Sequence, residues 1–391
     1  MDILLFGGAF DPVHNGHLNI LKAALRYKHF DKVIIMPTGT PGHKTGCRAP
    51  FAARKIMCEK AFRGLGDNIE ISDFEGRRFE KNFSYITVSH LKRQYPGANI
   101  RFLIGADSAV GLNTWKNSDY LKENCSFIVL PRKNENDPRL LDAVENIKLS
   151  SPGTFLLNAE AYPISSTEIR ETVGRGKSAA DFLPAGVWDI VSEYSLYDSD
   201  FYNRNIGTAK LIIPQMTDEK RMVHTYNVAN LAGELAKRYG ESENDAYLAG
   251  LLHDIQKQAP KEELLFRAER CMGKDILKKP IPVLHGYRAA DYMKAEMGIT
   301  DENLLAAVKN HTTGRVGMSN LEKIIYMADM TSAERNYPEK DMLYNLVWQD
   351  LDICMETALK ESLKWIESKG RVLDTDSLAA YEYFKNLNAN R

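Results

Sequence analysis

Two histidines that follow a glycine pair are the residues of this 391-residue chain whose spacing most clearly suggests chemistry. Gly7 and Gly8 come directly after an apolar run, where the missing side chains let backbone amides approach a phosphate group closely. His14 and His17 are about one helical turn apart, and His17 opens a segment with apolar residues at helical spacing. Imidazoles at a helix N-terminus can donate hydrogen bonds to phosphate oxygens as negative charge develops on them. Residues 7–17 therefore predict a site for the phosphates of a nucleotide.

A second candidate for anion binding lies near the middle of the chain, at residues 164–170. Its sequence is Ile-Ser-Ser-Thr-Glu-Ile-Arg, and either Ser165 or Ser166 can cap a helix with Glu168 in its first turn. Hydroxyl groups and free backbone amides would then converge with the Arg170 guanidinium on an anion. Taken alone, the segment is most typical of an ordinary capped helix. Following the histidine segment in this order, it strengthens the prediction of a phosphate site.

Histidine and aspartate residues in the second half of the chain suggest a metal centre. Any one of them alone is more typical of a structural role, but a carboxylate beside an apolar helical stripe is costly unless it is paired or bound to metal. Imidazole and carboxylate together suit Fe, Mn, Co or Zn rather than Ca. The expected ligands are His224, His253, Asp254 and Asp329, and His285 and His311 are further candidates that could complete a second metal site or hold phosphate.

The elements that must position these residues differ between the two halves. The first half alternates short apolar runs with helical segments, and such runs are typical of strands buried in a parallel sheet. This alternation predicts a doubly wound, Rossmann-like α/β fold with ligands at the carboxyl ends of the strands. The predicted strands are residues 2–6, 32–36, 69–73, 100–105, 126–130 and 154–158, and the clearest predicted helices are 17–27, 49–62 and 84–94.

The second half shows only helical periodicity from residue 208 onward, which predicts an all-α domain. The change follows a segment rich in Tyr, Ser, Asp and Asn, which is typical of a linker. We therefore expect an α/β domain over residues 1–195, a linker over 196–207 and a helical domain over 208–391. Examples of the predicted helices in the second domain are residues 223–239, 243–253, 289–297, 303–311, 321–330 and 346–368.

Composition excludes several classes of protein. The net charge of −1 argues against a nucleic-acid-binding polycation. The five cysteines are scattered without a Cys-x-x-Cys pair, so the sequence predicts neither a disulfide framework nor a thiolate zinc site. No apolar run is long enough to span a membrane, and no signal peptide is evident. We expect a cytoplasmic protein that binds neither nucleic acid nor membrane, and the sequence leaves open whether it forms a homo-oligomer.

The first half resembles the nucleotidyltransferases that carry a His-x-Gly-His turn and a later Ile-Ser-Ser-Thr-x-Ile-Arg segment. Within that superfamily it is most similar to the bacterial nicotinate-mononucleotide adenylyltransferases, over roughly residues 1–195. The likeness implies transfer of AMP from ATP to nicotinate mononucleotide, giving deamido-NAD and pyrophosphate. Four further matches support it: Pro-Gly-His-Lys at 41–44, Ser-Tyr at 84–85, Ile-Gly-Ala-Asp at 104–107 followed by Trp115, and Pro-Arg at 131–132.

The resemblance also implies roles for individual residues. Asp107 would bind ribose or a neighbouring group, and Trp115 would stack on the pyridine ring. Positioning, charge stabilisation and Mg²⁺ would carry the reaction without a covalent intermediate. The residues expected to contact the ATP phosphates are His14, His17, Lys44 and Arg170, with Ser166 and Thr167 at the start of their helix. The other expected substrate- and ATP-binding residues are Gly7, Gly8, Phe10, Asp11, Ser84, Tyr85, Gly105 and Arg132.

Two positions depart from the family pattern. Gly42 stands where a second proline is usual, and Ile86 stands where a threonine follows Ser-Tyr. In the family the latter position lies near the pyridine pocket, so the sequence leaves open whether nicotinate or nicotinamide mononucleotide is the substrate. Phosphopantetheine adenylyltransferases are the nearest rival family, but they lack a counterpart of the Trp115 region.

The second half resembles the HD phosphohydrolase superfamily through its ordered His…His-Asp…Asp residues. It is more closely similar to the bacterial HD-domain hydrolases that split diadenosine tetraphosphate into two ADP. The matching segments are residues 221–224, 249–257, 311–318 and 321–329. The resemblance implies that metal-bound water of lowered pKa attacks a phosphorus atom, with Asp254 as a catalytic residue. The candidates for polyphosphate binding are Lys257, Arg315 and Arg335.

The sequence therefore predicts an enzyme with two activities, although alternatives remain for the second half. That half could instead be a nucleotide-sensing module that binds metal without turnover, or a hydrolase of another nucleotide. The complete set of metal-ligand candidates favours the hydrolase, because a module without catalysis would be free to lose a ligand.

Overall fold

The computed structural model describes residues 1–39, 47–78, 80–131, 137–157 and 164–390. It divides the chain into two compact units, Met1–Asp200 and Phe201–Arg391. In this described part of the chain, every helix is too short or too polar for a membrane crossing.

The first unit is built on a six-stranded sheet whose strands are all parallel. Their order across the sheet is β3-β2-β1-β4-β5-β6, which is the doubly wound arrangement that the sequence predicts. The strand order reverses between the neighbouring strands β1 and β4, so ligands are expected beyond the carboxyl ends of these two strands. The strands are β1 (Asp2–Gly8), β2 (Lys32–Pro37), β3 (Ile69–Ile71), β4 (Asn99–Gly105), β5 (Ser126–Leu130) and β6 (Phe155–Leu156).

Both faces of this sheet are buried, which explains why its strands are almost continuously apolar. Successive side chains of a strand point to opposite faces. Leu5 belongs to an apolar cluster with Phe102 and Phe127, whereas the ring of Phe6 lies 6.2 Å from that of Phe62, on a helix. The helices of this unit are α1 (Asn15–Tyr27), α2 (Phe51–Phe62), α3 (Ser84–Gln94), α4 (Ala106–Val110), α5 (Ser118–Asn124), α6 (Pro138–Ser150), α7 (Ser166–Gly174) and α8 (Val187–Glu193).

The second unit is helical throughout its described residues, as its periodicity predicts. Its apolar interior is formed largely where α10, α11 and α15 pack together. The helices are α9 (Phe201–Met216), α10 (Glu219–Tyr239), α11 (Glu243–Leu252), α12 (Lys261–Met272), α13 (Leu284–Glu296), α14 (Glu302–Asn310), α15 (Asn320–Thr331), α16 (Lys340–Val347), α17 (Leu351–Ser368) and α18 (Thr375–Ala389).

Several predicted bounds of helices in this unit are wrong. The predicted helix 346–368 is two helices, because the Asp350 carboxylate accepts hydrogen bonds from the backbone amides of Asp352 and Ile353 and caps a new start at α17. Helix α13 begins five residues before the predicted residue 289, so His285 lies in its first turn. Three helices, α9, α12 and α18, fall outside the predicted set.

The junction between the units also differs in detail from the expected linker over 196–207. Helix α9 begins inside that segment, at Phe201, and its Asn205 and Gly207 are buried. On the other side, Tyr197 is buried and its hydroxyl donates a hydrogen bond to Asp11, so the α/β unit extends beyond residue 195. Tertiary contacts determine where this segment begins and ends, and its amino-acid composition does not predict them.

Candidate active sites

The first candidate site begins with the loop that follows β1. Gly7 and Gly8 are the last two residues of β1, and a Cβ atom added at Gly8 would lie only 3.1 Å from the Phe10 ring. Phe10 is itself only 1 % exposed and has a positive φ of 48°, a conformation found mainly where surrounding structure imposes it. Its ring lies 5.0 Å from that of His17. Phe10 therefore packs against His17 and is not exposed to a ligand.

The two histidines occupy the N-terminus of α1, with His14 as the N-cap residue. The backbone N–H of His14 donates a hydrogen bond of 3.2 Å to Nδ1 of His17, and the two rings lie 3.8 Å apart. Because Nδ1 of His17 accepts this bond, the ring proton of the neutral imidazole must sit on Nε2. Burial lowers the pKa of His17 well below its usual value and that of His14 to about 4. Both imidazoles are neutral at pH 7, and Nε2 of His17 is a hydrogen-bond donor.

Helix α7 meets this loop from more than 150 residues away along the chain. The cap of α7 is Ser165, whose Oγ accepts a hydrogen bond of 3.2 Å from the backbone N–H of Glu168. This leaves Ser166 free to donate to the carbonyl of Pro12 at 3.0 Å, while Arg170 donates to the carbonyl of Asp11 at 2.6 Å. The two sequence segments are thus brought together, with the N-termini of α1 and α7 at one loop.

Thr167, in the first turn of α7, also takes part in this arrangement. The Thr167 hydroxyl accepts a hydrogen bond of 3.1 Å from Nη2 of Arg170. One guanidinium therefore contacts both the loop and the first turn of α7, which fixes its position. A positive charge held at two helix N-termini is well suited to bind the phosphates of an anionic ligand.

Asp11 has a structural role that the sequence does not reveal. It is 3 % exposed, and its carboxylate accepts hydrogen bonds from the backbone amides of Arg48 and Ala49 and from the Tyr197 hydroxyl. These protein donors give Asp11 a role in holding the loop, and the substrate- or ATP-binding role that the resemblance implies for it stays a prediction. Arg54 is a further residue that the sequence pattern does not single out. It is buried, and its guanidinium donates a hydrogen bond of 2.7 Å to the carbonyl of Ala9.

The expected residues for the second substrate lie around the carboxyl end of β4 and the start of α3. Gly105 is the last residue of β4, and Asp107 lies in the first turn of α4 directly after it. Trp115 is partly buried against Phe102, with ring centroids 6.2 Å apart. Tyr85 packs against the same apolar cluster as Trp115. Ser84 and Tyr85 form the first turn of α3. Lys44 and Arg132 lie outside the described residues.

A buried carboxylate that the sequence analysis missed stands beside this region. Glu75 is 8 % exposed, and the hydroxyl of Thr87, on α3, donates a hydrogen bond of 2.6 Å to it. The backbone N–H of Gly39, after β2, lies 3.4 Å from its second oxygen, and Asn82 donates to its carbonyl at 3.1 Å. Burial raises the pKa of Glu75 against the opposing effect of these hydrogen bonds. Glu75 therefore ties the chain after β2 to the start of α3.

The second candidate site is a cluster of four imidazoles and two carboxylates inside the helical unit. The six residues are positioned by five helices: His224 lies on α10, His253 and Asp254 follow α11, His285 lies on α13, His311 follows α14 and Asp329 lies on α15. Two groups of ligand atoms in this cluster are compact enough to hold a metal ion. They are His224, His253 and Asp329, and His253, Asp254 and His311.

The hydrogen bonds of the imidazoles decide which ring nitrogens face the centre. Nδ1 of His253 lies 2.7 Å from the carbonyl of Gly250, that of His285 2.6 Å from the carbonyl of Pro282, and that of His311 2.6 Å from the carbonyl of Val308. A carbonyl only accepts, so each Nδ1 carries the proton and each Nε2 of a neutral ring carries a lone pair. Burial lowers the pKa of both His253 and His285 to about 4, which keeps these two rings neutral.

The Nε2 atoms of the four rings lie close together in two pairs. Nε2 of His285 and Nε2 of His311 are 3.0 Å apart, and Nε2 of His253 lies 3.3 Å from that of His224. Nitrogen lone pairs at such distances repel unless a cation stands between them. The donor set of imidazole nitrogens and carboxylate oxygens therefore fits a transition metal better than a Ca²⁺ ion.

The two carboxylates are ionised. Burial alone would raise the pKa of Asp254, but the surrounding imidazoles and Lys257 outweigh it and hold that pKa well below its usual value. The same balance applies to Asp329, where the His224 hydrogen bond and the charge of Arg335 overcome burial. Arg221 also pairs with Asp254. The cluster thus presents two anionic oxygen donors together with the nitrogen donors of the imidazoles.

The three expected polyphosphate-binding residues have different surroundings. Nζ of Lys257 lies 3.6 Å from Asp254 and 3.1 Å from Nε2 of His285, and Arg335 pairs with Asp329, so both border the cluster. Arg315 instead makes two hydrogen bonds of 2.6 Å to the fully buried Glu322. Arg315 thus neutralises a buried carboxylate, and its expected role in polyphosphate binding stays a prediction.

Comparisons with known proteins agree with the division into two units. A cytidylyltransferase-like family model matches residues 5–172, and an HD domain model matches residues 221–334. A Mycoplasma genitalium protein, a probable nicotinate-nucleotide adenylyltransferase/Ap4A hydrolase, is 31 % identical over 85 % of this chain and 88 % of its own length. The chain belongs to this family of nicotinate-nucleotide adenylyltransferase/Ap4A hydrolases. Each of the family's two parts falls within one of the two compact units.

Other similar proteins match one unit at a time. A probable nicotinate-nucleotide adenylyltransferase of Clostridium tetani is 33 % identical over 49 % of this chain and 97 % of its own length. A predicted HD superfamily hydrolase involved in NAD metabolism, from Clostridium acetobutylicum, is 30 % identical over 46 % of this chain and 97 % of its own, with a TM-score of 0.45.

Proposed function

We propose that the first unit transfers AMP from ATP to nicotinate mononucleotide and that the second hydrolyses diadenosine tetraphosphate to two ADP. The observation that supports the first activity best is the meeting of α1 and α7 at one loop, where His17 and Arg170 are held at two helix N-termini. The second rests on six inward-facing metal-ligand candidates from five helices. The substrates are those indicated by the name of a relative that aligns with most of the chain.

In the transfer reaction, a phosphate oxygen of the mononucleotide attacks the α-phosphorus of ATP, and the bond from that phosphorus to the bridging oxygen of pyrophosphate breaks. The Nε2–H of His17 and the Arg170 guanidinium stabilise the negative charge that builds up on the phosphate oxygens. The amides at the starts of α1 and α7 add to this stabilisation. Mg²⁺, when bound, supplies further charge neutralisation. The protein needs no nucleophile of its own.

Other residues of the first unit select and orient the second substrate. Trp115 offers an aromatic face for the pyridine ring, and Asp107 offers a carboxylate at the end of β4. Ser166 and Thr167 hold the anion-binding turn of α7 through their contacts with Pro12 and Arg170. We include Lys44 and Arg132 among the phosphate- and substrate-binding residues on the strength of the family resemblance.

In the hydrolase, water is added across the bond between the two central phosphates, and each product leaves as ADP. His224, His253, Asp254 and Asp329 would hold a metal ion, and His285 and His311 complete the donor set around Asp254. Fe, Mn, Co or Zn, when bound, supplies Lewis-acid activation of water and of a phosphoryl oxygen. Lys257 and Arg335 border the cluster with positive charges that can bind the flanking phosphates.

Product identification with the purified full-length chain tests both activities. We expect deamido-NAD and pyrophosphate from ATP and nicotinate mononucleotide, and ADP as the only nucleotide product from diadenosine tetraphosphate. Nicotinamide mononucleotide in a parallel reaction tests the selectivity that Ile86, in the first turn of α3, leaves open. Metal bound without turnover of the tetraphosphate or of other nucleotides would support a sensing role and contradict the hydrolase.

We further propose that the protein works in the cytoplasm. Cys58, Cys125 and Cys354 are buried thiols outside any disulfide, which suits a reducing compartment.

A further inference from the structure

One carboxylate just beyond α15 contacts the metal-ligand cluster from outside. Glu334 accepts a hydrogen bond from Nδ1 of His224 through its Oε1 atom, on the side of the ring away from the cluster. The opposite nitrogen, Nε2, lies 3.1 Å from Asp329 and 3.3 Å from Nε2 of His253. His224 is therefore held between an outer carboxylate and the inner ligand group.

His224 differs in this respect from the other three imidazoles of the cluster. His253, His285 and His311 each point Nδ1 at a main-chain carbonyl, which no substitution of a side chain removes. The acceptor for His224 is a side chain. The tautomer and ring orientation of this one ligand thus depend on a residue that can be replaced.

Glu334 is itself held in position by two further donors. Asn227, one turn along α10 from His224, donates to Oε2 at 2.6 Å, and the Ser332 hydroxyl donates to Oε1 at 2.6 Å. The side chain is 24 % exposed, so it stands at the edge of the unit and not in its core. Because Asn227 and Ser332 fix its carboxylate, Glu334 can hold the imidazole of His224 in one orientation.

We propose that Glu334 is a positioning residue of the metal centre, which keeps the proton of His224 on Nδ1 and directs the Nε2 lone pair at the metal. This inference rests on the proposed metal site of the second unit. A carboxylate acceptor also makes the coordinating nitrogen more basic, and loss of such a partner typically lowers metal affinity about 10- to 100-fold.

The test compares Glu334→Ala, Glu334→Gln and Glu361→Ala in the full-length chain. Glu361 is the matched control, because its side chain is 25 % exposed and it pairs only with Lys364 among the contacts described for it. Each variant is stripped with a chelator and titrated with Mn²⁺, and free Mn²⁺ is measured by electron paramagnetic resonance. Thermal unfolding of the metal-free forms is recorded alongside.

We expect Glu334→Ala to raise the Mn²⁺ dissociation constant about 10- to 100-fold while the metal-free unfolding temperature stays close to that of the parent chain. Glu334→Gln keeps an oxygen acceptor and should bind Mn²⁺ more tightly than Glu334→Ala, and Glu361→Ala should match the parent. Unchanged affinity in Glu334→Ala, or equal losses in the Ala and Gln variants, would overturn the proposal. A parent chain that binds no Mn²⁺, Fe²⁺ or Zn²⁺ would instead refute the metal site itself.

Discussion

Replacing His17 by alanine is the sharpest test of the transferase site. The substitution removes the Nε2–H donor and also the Nδ1 acceptor of the His14 amide. The first loss acts on the transition state, because negative charge on the phosphate oxygens is greatest there. The second loss acts on the folded state, since a part-buried N–H is left without its partner.

The magnitudes of these two effects can be separated. Removing one preorganised donor to developing charge costs about 100- to 1000-fold in kcat, equivalent to about 3–4 kcal/mol. An unpaired buried backbone donor costs about 1–3 kcal/mol of stability, and the lost contact with Phe10 adds to this. The catalytic loss should therefore persist at temperatures where the variant is fully folded.

The assay is steady-state release of pyrophosphate at varied ATP and nicotinate mononucleotide, with circular dichroism to confirm folding. We expect kcat to fall and KM for ATP to change little. His17→Gln keeps a side-chain N–H donor and should lose less than His17→Ala. Hydrolysis of diadenosine tetraphosphate by the same sample is the internal control. A rise in KM with kcat unchanged would refute the transition-state role of His17.

Three further predictions test other parts of the molecule. Asp254→Ala should abolish tetraphosphate hydrolysis and leave adenylyl transfer near normal, as measured by product chromatography; loss of both activities would contradict independent units. Glu75→Ala should raise KM for the mononucleotide more than KM for ATP, because it releases the Thr87 contact at the start of α3; equal changes in both would show a general loss of structure. Arg315→Ala should lower the free energy of unfolding by about 1–3 kcal/mol in urea titrations, because it leaves the buried Glu322 without its cation. A stable Arg315 variant with weakened tetraphosphate binding would instead support the polyphosphate-binding role expected from the sequence.

The sheet and the pairing of the two N-terminal segments follow closely from the sequence. Buried parallel strands are continuous apolar runs, and five of the six predicted strands overlap the observed ones by at least three residues. The sixth is reduced to Phe155–Leu156 within the described residues. The histidine segment and residues 164–170 do lie together, since Ser166 and Arg170 both contact the loop before α1.

The roles of individual charged residues were less predictable. Asp11 lies in a motif that suggests ligand binding, yet its carboxylate is occupied by Arg48, Ala49 and Tyr197, which come from distant parts of the chain. Glu75 is another example, because the partners that give it a role lie after β2 and on α3. A local sequence pattern predicts which side chains a helix or strand exposes. The roles of Asp11 and Glu75 depend instead on contacts with residues that are distant in the sequence.

Three histidines of the proposed metal site are an exception, because their orientation is set locally. His253 and His311 each directly follow a helix, and each contacts the carbonyl three residues earlier. The last carbonyls of a helix lack intrahelical donors, so a histidine at that position satisfies one of them with Nδ1–H and turns Nε2 outward. His285 makes the same three-residue contact with Pro282 at the start of α13. His224 lies inside α10, where carbonyls are already paired, and so needs a side-chain acceptor. This difference explains why its partner, Glu334, could not be found from the spacing of the motif.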